Sequence, residues 1–222
     1  MEIEKEMIGG DGFEVPCVTL KPSNSKGAVV VVHGYGGFKE ETLGLAWRIA
    51  EKGFTTGAID LRGHGEHMLD LDEKILSDLE TAITHFKPYG KVTAVGHSLG
   101  GRLSLISSAD YAIGISPALG KTFSSQTEEI IKELRDYRVH KSSSNIFTIL
   151  KDLPLYQFKN DNAFVIHGSR DIPEVSSECN NLKSVGMYVV QIEEALHADI
   201  FLYEPTFETI TEKLQEWYPS QK

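Results

Sequence analysis

The sequence predicts an α/β fold: one domain built on a mostly parallel, doubly wound sheet, with a small helical cap inserted late in the chain. Three observations predict it. Short apolar runs without polar alternation recur along the 222 residues, and such runs form strands buried on both faces. Stretches with apolar residues at helical spacing separate most of them, and strands alternating with helices of this length build a parallel sheet. The chain length suits one domain of this class, residues 1–222, with room for an insertion at 117–162.

At the N-terminus, Glu2 to Ile8 and Phe13 to Leu20 are expected to form a hairpin turned by Gly9-Gly10-Asp11-Gly12. After a turn-rich segment, Ala28-Val29-Val30-Val31-Val32 is apolar throughout and reads as a buried strand. Glu40 to Lys52 places Leu43, Ala46, Trp47 and Ala50 at helical spacing, and Gly53 follows as its C-terminal cap. Phe54 to Asp60 is a second buried strand. Asp72 to Phe86 repeats the helix signal through Ile75, Leu76, Leu79, Ile83 and Phe86, with acidic residues in its first turn. Further strands are expected at Lys91–Val95, Tyr111–Ser116, Ala163–His167 and Met187–Ile192. Phe207, Ile210, Leu214 and Trp217 form one apolar stripe, so the last element is an amphipathic helix.

One segment breaks the alternation. Pro117 to Asn162 is longer than a single crossover helix needs. It carries a helix at Thr127–Tyr137, a serine patch at Ser142-Ser143-Ser144, and a short pattern of Ile146, Ile149, Leu150 and Leu153. It reads as an insertion over one edge of the sheet.

Composition excludes several roles. The residues are 41% hydrophobic and 24% charged, ordinary for a globular chain, and mean hydropathy is -0.20. Net charge is -10, which argues against a nucleic-acid partner and against docking on an anionic membrane. Neither a signal-peptide pattern at Met1–Ile8 nor an apolar run of spanning length is seen. Cys17 and Cys179 read as buried free thiols suited to a reducing cytoplasm, and no metal-ligand spacing is seen.

The chemistry concentrates in Gly96-His97-Ser98-Leu99-Gly100-Gly101, directly after a predicted strand and before a helix-compatible run. A serine on so sharp a turn needs small neighbours two residues to either side, and Gly96 and Gly100 supply them. The helix that follows points free N–H groups toward developing negative charge. Serine alone is a poor nucleophile, so a base and an orienting acid must follow, past the carboxyl ends of later strands. Asp171 ends Gly168-Ser169-Arg170-Asp171 after one strand, and His197 follows the last strand; both meet the demand. Asp152 and Asp161 lack that placement, and Glu193, Glu194 and Asp199 sit too close to His197 in sequence. His97 points away from its neighbour and serves packing or hydrogen bonding, while His33 and His167 fix loop backbone. His64, His67, His85 and His140 read as solvated. One oxyanion donor is the Leu99 amide; the other should come from His33-Gly34-Tyr35-Gly36-Gly37, with the Tyr35 amide the best candidate.

With these motifs in order, joined by Asp60-Leu61-Arg62-Gly63-His64-Gly65, the chain resembles the α/β-hydrolase superfamily over residues 28 to 217. The subgroup is similar to small esterases, including cinnamoyl-ester and monoacylglycerol hydrolases. The resemblance implies the α/β-hydrolase fold, a Ser98, Asp171, His197 triad, Tyr35 and Leu99 amides as oxyanion donors, no cofactor, and structural roles for Asp60 and Arg62. Two departures stand out: Ile172-Pro173-Glu174-Val175 shifts the family pattern after the acid, and the segment before the first buried strand is brief.

The leading expectation is a serine hydrolase acting on a small-molecule carboxylic ester. Apolar residues of the insertion, Phe147, Leu150 and Tyr156 among them, either line an acyl pocket or dock the cap on the sheet. A thioesterase, acyltransferase or aminopeptidase uses the same triad, with Glu128-Glu129 available to a free amino terminus in the last case. A non-catalytic binding module is the alternative of another class. A dehalogenase would carry Asp at position 98.

Overall fold

A computed structural model of the chain describes residues 1–140, 145–158 and 162–219; the predicted serine patch Ser142-Ser143-Ser144 and Asp161 lie outside the described residues. The strands are β1 (Glu2–Gly9), β2 (Glu14–Lys21), β3 (Ala28–Val32), β4 (Thr55–Ile59), β5 (Val92–His97), β6 (Tyr111–Ile115), β7 (Ala163–Arg170) and β8 (Val189–Leu196). They form one eight-stranded sheet in the order β1-β2-β4-β3-β5-β6-β7-β8. β1 and β2 pair antiparallel as the expected hairpin, β2 joins β4 antiparallel, and every later pairing is parallel.

The helices are α1 (Leu43–Ala50), α2 (Leu76–Phe86), α3 (Leu99–Ile106), α4 (Ser125–Arg135), α5 (Ile146–Asp152), α6 (Pro173–Ser184) and α7 (Glu204–Trp217). β3 shows why its valine run needs no polar face. Ala28, Val30 and Val32 pack with α2 and α3 on one side, while Val29 and Val31 pack with α1 and α7 on the other. The sheet is therefore covered on both faces, and total exposed surface is 10313 Å², close to the roughly 10,000 Å² that size scaling gives.

Several boundaries differ from the periodicity reading, each for a local reason. A 3-10 turn at Lys39–Thr42 precedes α1, whose buried stripe is Leu45, Ala46, Ile49 and Ala50, while Trp47 is 40% exposed. α2 begins at Leu76 because Asp72 instead accepts the Lys74 amide and binds Arg62. The shifted Ile172-Pro173 sequence starts α6 cleanly, since proline at the first helical position loses no hydrogen bond.

β3 to β4 winds toward one edge and β5 onward toward the other. The carboxyl ends of β3 and β5 thus bound the crevice where strand order reverses, the place an open α/β sheet leaves for a ligand. The insertion between β6 and β7 holds α4, a 3-10 turn at Asp136–Arg138, and α5. Its roots are stapled by the fully buried Arg102 of α3. That guanidinium donates to carbonyls on both sides of the insertion: Ala118, Leu119 and Gly120, then Leu150, Leu153 and Pro154, at 2.6–3.2 Å.

Candidate active site

Ser98 sits at the β5–α3 junction with φ 53 and ψ -111, a left-handed conformation that costs a non-glycine residue energy. Neighbouring backbone holds it there: its N–H donates to Ile115 O at 2.9 Å, and its carbonyl accepts from the Arg102 and Ala118 amides at 3.0 Å each. The flanking glycines are dictated by backbone contact. A Cβ on Gly96 would lie 2.2 Å from the Gly100 carbonyl carbon, and one on Gly100 would lie 2.5 Å from the carbonyl oxygens of Val32 and His33. The turn thus presses α3 against the end of β3.

The three residues singled out from far-apart positions converge. His197 Nε2 lies 3.0 Å from Ser98 Oγ, and His197 Nδ1 lies 2.7 Å from Asp171 Oδ1. The Asp171 side chain is fully buried and richly bonded. It accepts from the Ile172 amide at 2.8 Å, from the Gly168 amide at 3.2 Å and from the Ser116 hydroxyl. Burial raises its carboxyl pKa, but the bonds from His197, Ser116 and Gly168 outweigh it and hold it below the ordinary value. Asp171 is thereby kept as an anion facing His197. Ser116, itself at φ 45 at the end of β6, was not foreseen; a strand-end serine carries no motif.

His97 holds the other side of the arrangement. Its Nε2–H donates to the His197 carbonyl at 2.7 Å, and its ring lies 5.0 Å from that of His197 and 4.8 Å from that of Phe201. Burial pushes its pKa down to about 3, so it stays neutral and acts as a fixed donor.

Of the candidate oxyanion donors, Tyr35 lines the cavity that also includes Ser98, and Leu99 directly follows Ser98 in the chain. Leu99 opens α3, where the first amides have no partner within the helix. Tyr35 rides a turn closed by Gly37 N–H to Gly34 O at 3.0 Å, with Gly36 at φ 68. Two buried histidines clamp that turn. His33 Nδ1–H donates to Gly34 O at 2.7 Å and its Nε2 accepts the Leu61 amide at 3.1 Å. His64 Nδ1–H donates to Arg62 O at 2.9 Å and its Nε2 accepts the Gly36 amide at 3.0 Å. Burial lowers their pKa values to about 4 and about 3, which keeps each ring a neutral donor and acceptor.

The solvated reading of His64 and His67 is therefore corrected: both are buried, His64 against the β3 loop and His67 against the Phe13 ring and Asp78. His67 Nδ1 accepts the Leu69 amide at 3.1 Å, and its Nε2 lies 3.5 Å from Asp78. His85 and His140 are exposed as expected, and His167 donates to the Gly168 carbonyl. Asp60 pairs with the buried Lys39 at 2.7 Å, and Arg62 pairs with Asp78 at 2.8 Å. Both pairs lie away from Ser98 and tie down loops.

A cavity of about 370 Å³ opens above Ser98. Its walls include His33, Gly34, Tyr35, His97 and His197, with Ala198, Phe201 and Leu202 on one side and Ile131 and Arg135 of α4 on another. Phe147, Leu150 and Tyr156 are not among its lining. α5 folds inward, so Leu150 is only 4% exposed and packs beside α3; the Phe147 ring meets Phe123; Tyr156 packs near Leu105 and Val175. Of the two readings left open for these residues, docking is the one their positions match. Among the described residues no group of three or more His, Cys, Asp or Glu could hold a metal ion, and no helix is long and apolar enough to cross a membrane.

A family model described as serine aminopeptidase, S33, matches residues 23–125, which include the β3 loop and the Ser98 turn. No curated protein sequence matches. Among solved structures, Est1E of Butyrivibrio proteoclasticus bound to ferulic acid is 20% identical with a TM-score of 0.70, over 96% of this chain and 97% of that one. An esterase of Pyrococcus furiosus is 14% identical with a TM-score of 0.71, over 99% and 92%. A soluble variant of monoglyceride lipase from Saccharomyces cerevisiae is 17% identical with a TM-score of 0.68, over 98% and 95%. At such identities the likeness speaks for the fold. Joined to a sheet that reverses its order at the Ser98 turn, it shows that this chain has the α/β-hydrolase fold.

Proposed function

We propose that the chain is a serine hydrolase that cleaves small carboxylic esters through an acyl-enzyme on Ser98. The observation that carries this reading is the continuous path Ser98 Oγ, His197 Nε2, His197 Nδ1, Asp171 Oδ1, with steps of 3.0 and 2.7 Å on either side of the imidazole. In the first half-reaction Ser98 Oγ attacks the ester carbonyl carbon while His197 Nε2 takes the hydroxyl proton. Asp171, bonded at Nδ1, fixes the tautomer and balances the imidazolium. Negative charge gathers on the carbonyl oxygen, where the Tyr35 and Leu99 amides receive it; one such donor is typically worth about 3 kcal/mol. Collapse of the tetrahedral intermediate breaks the ester C–O bond, and His197 returns the proton to the leaving alkoxide. Water then repeats the sequence and releases the acid.

An ester is preferred over other acyl donors because the similar structures include ones named esterase and monoglyceride lipase. In this reading residues 1–222 are one hydrolase domain, 117–162 form its cap, and the enzyme needs no cofactor. The two buried free cysteines support a cytoplasmic setting. The test is Ser98→Ala assayed on p-nitrophenyl acetate and butyrate, with circular dichroism to verify folding. Turnover should fall to background with the fold intact. Undiminished turnover in a folded variant would refute the proposal.

A further inference from the structure

Among the described residues, the cavity above Ser98 is lined by one fixed positive charge that makes no ion pair. Its charged wall residues are Glu41 and Arg135. Glu41 is already engaged, since Arg138 donates to its carboxylate. Asp136, next to Arg135 in sequence, accepts the Tyr35 hydroxyl at 2.7 Å. Among the described residues Arg135 forms no ion pair and no side-chain hydrogen bond.

Arg135 is also held in place. A Cβ added at Gly36 would lie 2.8 Å from Arg135 Cβ, 3.0 Å from its carbonyl and 3.1 Å from Cδ, so its aliphatic stem lies on the turn that carries the Tyr35 amide. Its charge is near enough to weigh against a proton on His97. The walls beside it, Ile131, Phe201 and Leu202, are apolar. A cation kept half-buried over an apolar cavity loses hydration that no described residue restores by pairing with it. A ligand anion would restore it, and the planar guanidinium fork matches a carboxylate.

We propose that Arg135 anchors the substrate, so that the site takes small esters bearing a free carboxylate, paired with the guanidinium while the ester carbonyl lies at Ser98. This rests on the serine-hydrolase reading and names its substrate class. A cavity of about 370 Å³ holds the liquid volume of about a dozen waters, room for the half-ester of a short dicarboxylic acid.

The test compares kcat/KM for monomethyl adipate with that for methyl hexanoate, and for 4-acetoxybutanoate with that for butyl acetate. These pairs put the carboxylate on the acyl and the alcohol side in turn. In at least one pair the unaltered protein should favour the charged ester about tenfold or more, the range of a hydrogen bond to a charged group. Arg135→Ala and Arg135→Gln should lower that ratio about tenfold, Arg135→Lys should keep part of it, and added salt should erode it in the unaltered protein. Each ratio is taken within one preparation, so a partly unfolded variant still reports it. Ratios below two in both pairs, or a preference that survives Arg135→Ala, would overturn the anchor while leaving ester hydrolysis intact. If neutral and charged esters are all inert, the hydrolase reading fails. The anchor is then judged by calorimetric binding of monomethyl adipate: binding lost in Arg135→Ala supports it, and no binding overturns it.

Discussion

Three histidines that are neutral and buried in the fold should make this protein sensitive to mild acid. His33, His64 and His97 each use one ring nitrogen as donor and are largely buried; burial lowers their pKa values from 6.5 to about 4, about 3 and about 3. Above pH 6.5 folded and unfolded forms are both neutral and nothing is lost. Below it the unfolded rings take up protons that the folded rings refuse, so stability falls with pH until the folded rings titrate. Between pH 7.5 and 5.0 each ring should cost about 2 kcal/mol, and the three together about 6 kcal/mol. His167 is shifted the same way, whereas Asp78 and Asp171, held below 3.8, lose their contribution only at lower pH. In equilibrium urea unfolding, with a slope of about 3 kcal/mol per molar, the midpoint should drop by about 2 M across that interval. His64→Gln keeps an acceptor for the Gly36 amide but cannot titrate, so it should remove about a third of the drop. A midpoint that moves by less than about 0.5 M would refute the claim that these rings are buried and neutral.

Other consequences follow from single contacts. Gly100→Ala places a methyl against the Val32 and His33 carbonyl oxygens, which belong to backbone and cannot rotate away; ester turnover should fall by more than about 100-fold and the melting temperature should drop. Arg102→Leu leaves the insertion's root carbonyls without their donor, and urea unfolding should register a loss of about 3–5 kcal/mol. Ser116→Ala removes one hydroxyl from Asp171, so kcat should fall about fivefold with KM little changed, the scale of one hydrogen bond near 1 kcal/mol.

Much of this site was legible because local chemistry forces local sequence. A serine on a strand-to-helix turn requires glycines two residues away, and an acid and a base after later strands follow from sheet topology; that reasoning singles out Ser98, Asp171 and His197, whose side chains lie within hydrogen-bond distance in turn from serine to histidine to acid. The valine run of β3 announced a strand covered on both faces. What escaped depends on contacts between distant segments. His64 and His67 occupy a polar, glycine-rich loop that looks solvated until the β3 loop packs on His64 and the Phe13 ring on His67. Leu150 and Phe147 have an apolar pattern that fits either a cavity wall or a core, and periodicity does not say which way α5 turns. Arg102 and Arg135 look like ordinary helix charges, yet one is buried among carbonyls and the other overlooks the cavity. In α1 the buried stripe runs through Leu45 and Ile49 and leaves Trp47 exposed, a phase that spacing alone does not carry.

Reaction with a fluorophosphonate, followed by intact mass and peptide mapping, bears most directly on whether Ser98, His197 and Asp171 act as one nucleophilic unit. Ser98 Oγ should displace fluoride and retain one phosphonyl group per chain, with no adduct in Ser98→Ala and labelling at least about 100-fold slower in His197→Ala. Absence of an adduct on Ser98, or labelling that proceeds equally in either variant, would contradict the assignment.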